Sequence, residues 1–205
     1  MLIKEHKAIR FEGNGYGDEW VKEAKKRGLS NLRDTPTALE VWGRKEVATL
    51  FSSLGVLTTE ELHARQEVEY ENYIMKRQIE ARIVGDMATN IVLPAAVAYQ
   101  NMLIENISGL TDVFGKAAAS MTEAQRDILT SVSETLNGLH ASTVKLREER
   151  GKINKIDDIA KRAVKYGSVV TPLIEEVGDH CAALEKVVDN EIWPLPKFHE
   201  MMFTR

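Results

Sequence analysis

The chain has 205 residues, 43% of them hydrophobic and 28% charged, with a formal net charge of −4. Its acidic and basic residues are interspersed, which gives no broad field to attract nucleic acid, and no uninterrupted apolar run approaches the roughly 18 residues that signal a membrane-spanning helix. Aromatics make up 6%, which with frequent Ala and Leu favours a helical bundle over a β-sandwich.

Residues 2–11 alternate loosely, with Ile3, Ala8, Ile9 and Phe11 among charges, and leave room for one short strand; their charges exclude the apolar core of a secretory signal. Gly13-Asn14-Gly15 breaks that pattern. Asp18 is the expected cap of a short helix with Trp20, Val21 and Ala24 inside and Gly28 just past its end. Thr35-Pro36 opens a second short helix, with Pro36 at its first position, and residues 44–53 form a third, ended by Gly55. Thr58 and Glu61 have the spacing of a capping box.

From there a single helical pattern runs to about residue 114. One apolar stripe is expected on it, through Leu62, the stem of Arg65, Val68, Tyr73, Met75, Ile79, Ile83, Met87, Ile91, Ala95, Ala98, Met102, Ile107, Leu110 and Phe114. A helix of more than 50 residues is roughly 80 Å long at 1.5 Å per residue, too long for a small globule to cover, so it must lie along other long helices or a partner. Pro94 is expected to kink it. Thr122 is the expected cap of the next helix, whose stripe is Gln125, Ile128, Leu129, Val132, Leu136, Leu139, Thr143 and Leu146, ending in the basic stretch 145–151. Asn154 or Asp157 would cap the last long helix, with Ile159, Ala163, Tyr166, Val170, Leu173, Val177, Cys181, Leu184 and Val188 inward and a bend at Pro172. Trp193-Pro194-Leu195-Pro196 stops it, and residues 197–205 form a short apolar tail.

Candidate chemistry is sparse. Glu60-x-x-His63 has the spacing di-iron bundles use, but a second such motif is missing: Glu does not stand three residues before His6, His140, His180 or His199. Asp179-His180 is an isolated pair. Gly13-Asn14-Gly15-x-Gly17 is neither the dinucleotide fingerprint nor a Walker loop and reads better as a turn. Cys181, the single cysteine, lies on an apolar stripe, reads as a buried structural thiol and fits a reducing cytoplasm. No catalytic, cofactor-binding or metal-binding residue is assigned.

Several segments resemble type III glutamine synthetases. They are His6-Lys7, Ile9, Phe11, Gly13-Asn14-Gly15-Tyr16, Glu19-Trp20, Glu23-Ala24, Arg27-Gly28-Leu29, Asn31-Leu32 and Thr35-Pro36-x-Ala38-Leu39. Further matches are Leu54-Gly55-Val56, Glu60-Glu61-Leu62, Glu71-x-Tyr73, Asp86-Met87-Ala88, Leu93-Pro94-Ala95, Tyr99-Gln100, Trp193-Pro194-x-Pro196 and Met201-x-Phe203. The resemblance implies the C-terminal piece of an enzyme that joins glutamate and ammonia with ATP and Mg. Metal and substrate residues of such enzymes lie upstream of the matched region, so this chain would hold no cofactor itself. It also implies as partners the remainder of that chain and neighbouring subunits in a homo-oligomer, with no role for nucleic acid or membrane, and it leaves Met1 either introduced or internal.

The expected architecture is all-α: an antiparallel bundle of three long helices, two kinked at prolines, with short N-terminal helices. Residues 1–57 would end the catalytic region as an N-terminal cap, and residues 58–205 would be the helical C-terminal domain. The alternative is a free-standing bundle with a metal-carboxylate site or a signalling role. A coiled-coil adaptor is a weaker third, because the stripes drift between three- and four-residue steps.

Overall fold

A computed structural model describes residues 2–203, leaving Met1, Thr204 and Arg205 outside the described residues. Four short helices come first: α1 (Leu2–Glu5), α2 (Asp18–Lys26), α3 (Thr35–Leu39) and α4 (Lys45–Ser53). The first rod consists of α5 (Thr59–Met87), a π turn (Ala88–Val92) and α6 (Leu93–Phe114). After the short α7 (Ala118–Met121) comes α8 (Glu123–Ile153); then α9 (Ile159–Lys165), a π turn (Tyr166–Val170) and α10 (Thr171–Val187) form the third rod, followed by α11 (Phe198–Met201).

Among the described residues there is no strand. Residues 2–11, where alternation allowed one, form α1 and a 3₁₀ turn at Lys7–Ile9. A lone strand has no ladder partner for its backbone, whereas one helical turn bonds within itself.

Several helix ends follow their sequence signals. Thr58 and Glu61 form the expected capping box: the Glu61 amide donates to Thr58 Oγ1 at 3.2 Å and the Thr58 amide to Glu61 Oε2 at 2.8 Å. Gly28 and Gly55, both at positive φ (72° and 65°), end α2 and α4. In each case the following amide reaches back over the turn, Leu29 to the Ala24 carbonyl and Val56 to the Phe51 carbonyl.

Other ends differ by a residue or two. Gly17, not Asp18, precedes α2, and Asp34 caps α3 by accepting from the Thr37 amide at 2.9 Å, which puts Pro36 at the second helical position. Asp158, rather than Asn154 or Asp157, caps α9 by accepting from the Lys161 amide at 2.9 Å. Thr122 precedes α8 without capping it. Its hydroxyl is buried and donates instead to the Ala118 carbonyl at 2.9 Å. α8 also continues past Gly151 to Ile153.

The rods run up, down and up. Gln100 of α6 donates to Ser133 of α8 and Gln125 of α8 to Asn106 of α6, so the two helices are antiparallel. α8 and α10 pack antiparallel in turn, with His180 lying over Gly138, and α9 returns along α5. Where the prolines predict kinks, the structure places a π turn before each. The residue ahead of each proline donates five residues back, Leu93 to Ala88 and Thr171 to Tyr166. The wide turn gives the proline ring room at the carbonyl four residues earlier, where it would otherwise clash.

The core contains Val132, Leu136, Leu139 and Leu146 of α8, with Ala163, Tyr166, Val170, Leu173, Val177, Leu184 and Val188 of the third rod. The stripes expected on these two rods are therefore the buried ones, although Ile128, Leu129, Ile159 and Cys181 are only partly covered. The first rod is a correction. Its buried residues are Leu62, Tyr70, Ile74, Ala81, Ala88, Val92, Ala95, Ala96, Tyr99 and Leu103, whereas Val68, Met75, Ile79, Ile83, Ala98, Met102 and Phe114 face outward. α5 has large apolar residues on two opposite sides, and spacing alone does not tell which side meets the bundle.

The rod of residues 59–121 contains a window that is long and apolar enough to cross a bilayer by length and composition. Asn90, Gln100 and Asn101 interrupt the uninterrupted run that the sequence reading looked for. In the structure this part of the rod lies along α8 through Ala95, Ala96, Tyr99 and Leu103.

Leu139 is 1% exposed and Val113 is 73% exposed. Leu139→Ala is expected to lower stability by about 2–5 kcal/mol, and Val113→Ala by less than about 0.5 kcal/mol, as read by chemical denaturation.

Candidate functional site: a surface built for packing

The residues weighed for chemistry do not converge. Glu60 and His63 are exposed in the first turns of α5, and among the described residues no three of His, Cys, Asp and Glu gather where they would hold a metal ion. His180 is used for packing, because a Cβ on Gly138 would lie 2.5 Å from its ring. Glycine at 138 leaves room for the His180 ring in the position it takes. Cys181 is half-buried, and burial pushes its thiol up, away from the reactive thiolate.

The glycine-rich turn before α2 does not fit a phosphate. The Asn14 side chain accepts from the Tyr16 amide at 3.0 Å and the Asn14 carbonyl from the Gly17 amide at 3.1 Å, so both donors are taken. Asp18 and Glu19 then put negative charge in the first helical turn, where an anion would sit.

Two polar arrangements sit between the rods. In the first, Asn154 Oδ1, just past the end of α8, accepts from Gln78 Nε2 of α5 at 2.7 Å and from the Tyr166 hydroxyl of the third rod at 2.6 Å. One amide oxygen thus ties three rods together. The sequence places Asn154 only as a cap candidate, and nothing in the spacing marks its partners, which lie 76 and 12 residues away.

In the second, a cleft of about 40 Å³ between α5 and α8 is lined by Arg82, Asp86, Thr143, Arg147 and Arg150, among others. It is large enough for water but far too small for a nucleotide. The Thr143 hydroxyl is buried without a partner.

Residues 34–53 seat on the N-terminal half of α5. Gln66 Nε2 donates to the Leu39 carbonyl at 2.6 Å and the Tyr70 hydroxyl to the Pro36 carbonyl at 3.4 Å. Residues 1–57 still leave much apolar surface open: Ile3, Ile9, Tyr16, Leu29, Leu50, Leu54 and Val56 are each at least half exposed. The molecule thus presents apolar faces rather than an enclosed pocket with converging polar groups, the arrangement of a part that packs against protein.

Residues 1–111 match the family model described as the glutamine synthetase C-terminal domain, and the chain belongs to that family. It is 36% identical over 198 residues, 96% of its length, to a glutamine synthetase of Bacteroides fragilis (strain YCH46). It is 31% identical over 202 residues, 98% of its length, to a type-3 glutamine synthetase of Dictyostelium discoideum. A glutamine synthetase of Butyrivibrio fibrisolvens is 29% identical over 97% of the chain. The chain spans only 27–28% of the length of these relatives.

Asn154→Ala strands the Tyr166 hydroxyl and is expected to cost about 1–3 kcal/mol, read as a fall in Tm. Burial pushes the Tyr166 phenol up, against hydrogen bonding with Gln78 and Asn154 and nearby arginines that lower it. An unfolded tyrosine ionises near pH 10. This contribution is therefore full below about pH 10 and is lost as pH rises through the raised folded value. Tyr166→Phe is expected to flatten the alkaline fall in stability, leaving the part due to Tyr70, which burial also raises.

Proposed function

We propose that this chain is the helical C-terminal portion of a type III glutamine synthetase, an ATP- and Mg-dependent ligase of glutamate and ammonia used in nitrogen assimilation, and that its own task is packing and subunit assembly. One observation carries the proposal. Alignment covers nearly the whole of this chain but about a quarter of each relative, and the stretch that opens the match, residues 1–57, leaves the apolar residues named above uncovered. A segment that ends a catalytic region would have those residues covered by the chain ahead of it. ATP and Mg belong in this reading to the larger protein.

The division into an N-terminal cap (residues 1–57) and a helical domain (residues 58–205) is part of the proposal, as are a homo-oligomeric parent and a cytoplasmic location. Membrane and nucleic acid have no part in it. Part of the apolar window of the first rod packs on α8, through Ala95, Ala96, Tyr99 and Leu103, and the charges are mixed along the chain.

The test has two arms. This chain, assayed with ATP, glutamate and ammonia, is expected to show no turnover. Removing the region corresponding to residues 58–205 from the Bacteroides fragilis enzyme is expected to abolish its native assembly and lower its activity at least tenfold. Turnover by this chain alone, or a truncated enzyme that assembles and works normally, would overturn the reading.

A further inference from the structure

Val68, Met75, Ile79 and Ile83 are 52%, 50%, 51% and 52% exposed. At about 100° per residue they fall in one arc of α5, opposite the arc of Leu62, Tyr70, Ile74 and Ala81 that meets the bundle. Four large aliphatics in line on the outer face of a surface helix mark a contact rather than a solvated side. Trp42 borders Val68 in a groove that also takes in Glu61, Ala64, Arg65 and Glu69, and it widens the apolar surface at that end.

We propose that this outer face of α5 is the contact with a second copy of this chain, laid antiparallel across a two-fold axis between Met75 and Lys76. The charge along the helix selects both the occupant and its direction. Residues 59–72 carry five glutamates (60, 61, 67, 69 and 71) against Arg65. Residues 73–87 carry Lys76 and Arg82 against Asp86, Arg77 and Glu80 being paired with each other at 2.6 Å. A parallel partner would set acidic half on acidic half, whereas an antiparallel copy sets each acidic half on a basic one.

The register follows from the spacing. Arg65, Val68, Asn72, Met75, Ile79, Ile83 and Asp86 step by three and four residues along one seam. With the two-fold at that point, Val68 faces the partner's Ile83, Asn72 the partner's Ile79, Arg65 the partner's Asp86 and Glu69 the partner's Arg82. An isologous contact repeats each pair about the axis. The inference goes beyond the ligase reading and does not need it, because it concerns this chain alone.

Light scattering and sedimentation of the 205-residue chain over a concentration series test it. Mass is expected to rise from monomer to dimer across the micromolar range. Ile79→Glu is expected to hold the chain monomeric with unchanged helical circular dichroism, and Val113→Glu to leave the dimer intact. Arg65→Glu is expected to weaken dimerisation about tenfold, and adding Asp86→Arg to restore it to within about threefold. In a Cys181→Ala background, Met75→Cys is expected to crosslink with its own copy, whereas Val68→Cys is expected to crosslink only when mixed with Ile83→Cys. A chain that is monomeric throughout, a dimer indifferent to Ile79→Glu, or Val68→Cys bonded to itself would overturn the proposal. None of these results bears on the truncation test, so the two readings can fail separately.

Discussion

The α8 seam is what the bundle depends on. Val132, Leu136, Leu139 and Leu146 are buried along one side of a 31-residue helix. That seam takes α6 on one flank and α10 on the other. Long helices gain most of their stability from such apolar contact rather than from propensity, and both proline-broken rods, which also pack directly on each other, lie against α8. Glycine at 138 allows the close pass of His180, and Asn154 fixes how far α8 has slid along its neighbours by holding Gln78 and Tyr166 at once.

How much of this was legible in the sequence depended on how many faces a helix had to satisfy. α8 and the third rod each have one apolar side, so period alone named their core correctly. α5 has two: Val68, Met75, Ile79 and Ile83 fit the spacing as well as Tyr70, Ile74 and Ala81, which the bundle takes. Both sides satisfy the same spacing, and only tertiary contact separates them. Helix ends were legible where a side chain or a glycine supplied the bond, as at Thr58, Gly28 and Gly55. They slipped where two polar residues stood together, as Asp157 did beside Asp158. Thr122 went to a neighbouring carbonyl in a buried corner, which no local signal announces.

The site shows the same division. Local motifs at Glu60, His63, Asp179 and the glycine turn were readable, and so was the lack of a second motif to complete any of them. The Asn154 bonds and the arginines around Thr143 join residues far apart in the chain, and their meeting is a property of the fold. Family membership also rests on features spread along the whole polypeptide.

The two wide turns do more than make room for proline. Each takes up one extra residue, so each rotates everything downstream by about 100° compared with an unbroken helix. Upstream of its wide turn the first rod packs chiefly on α9 and α10, with a lesser contact to α8, and downstream it packs on α8. The turn thus acts as a phase shifter that lets one continuous rod address two different neighbours. Excising a single residue between positions 88 and 92 would point the far half's greasy side at the wrong companion and press the Pro94 ring back against the carbonyl four residues earlier.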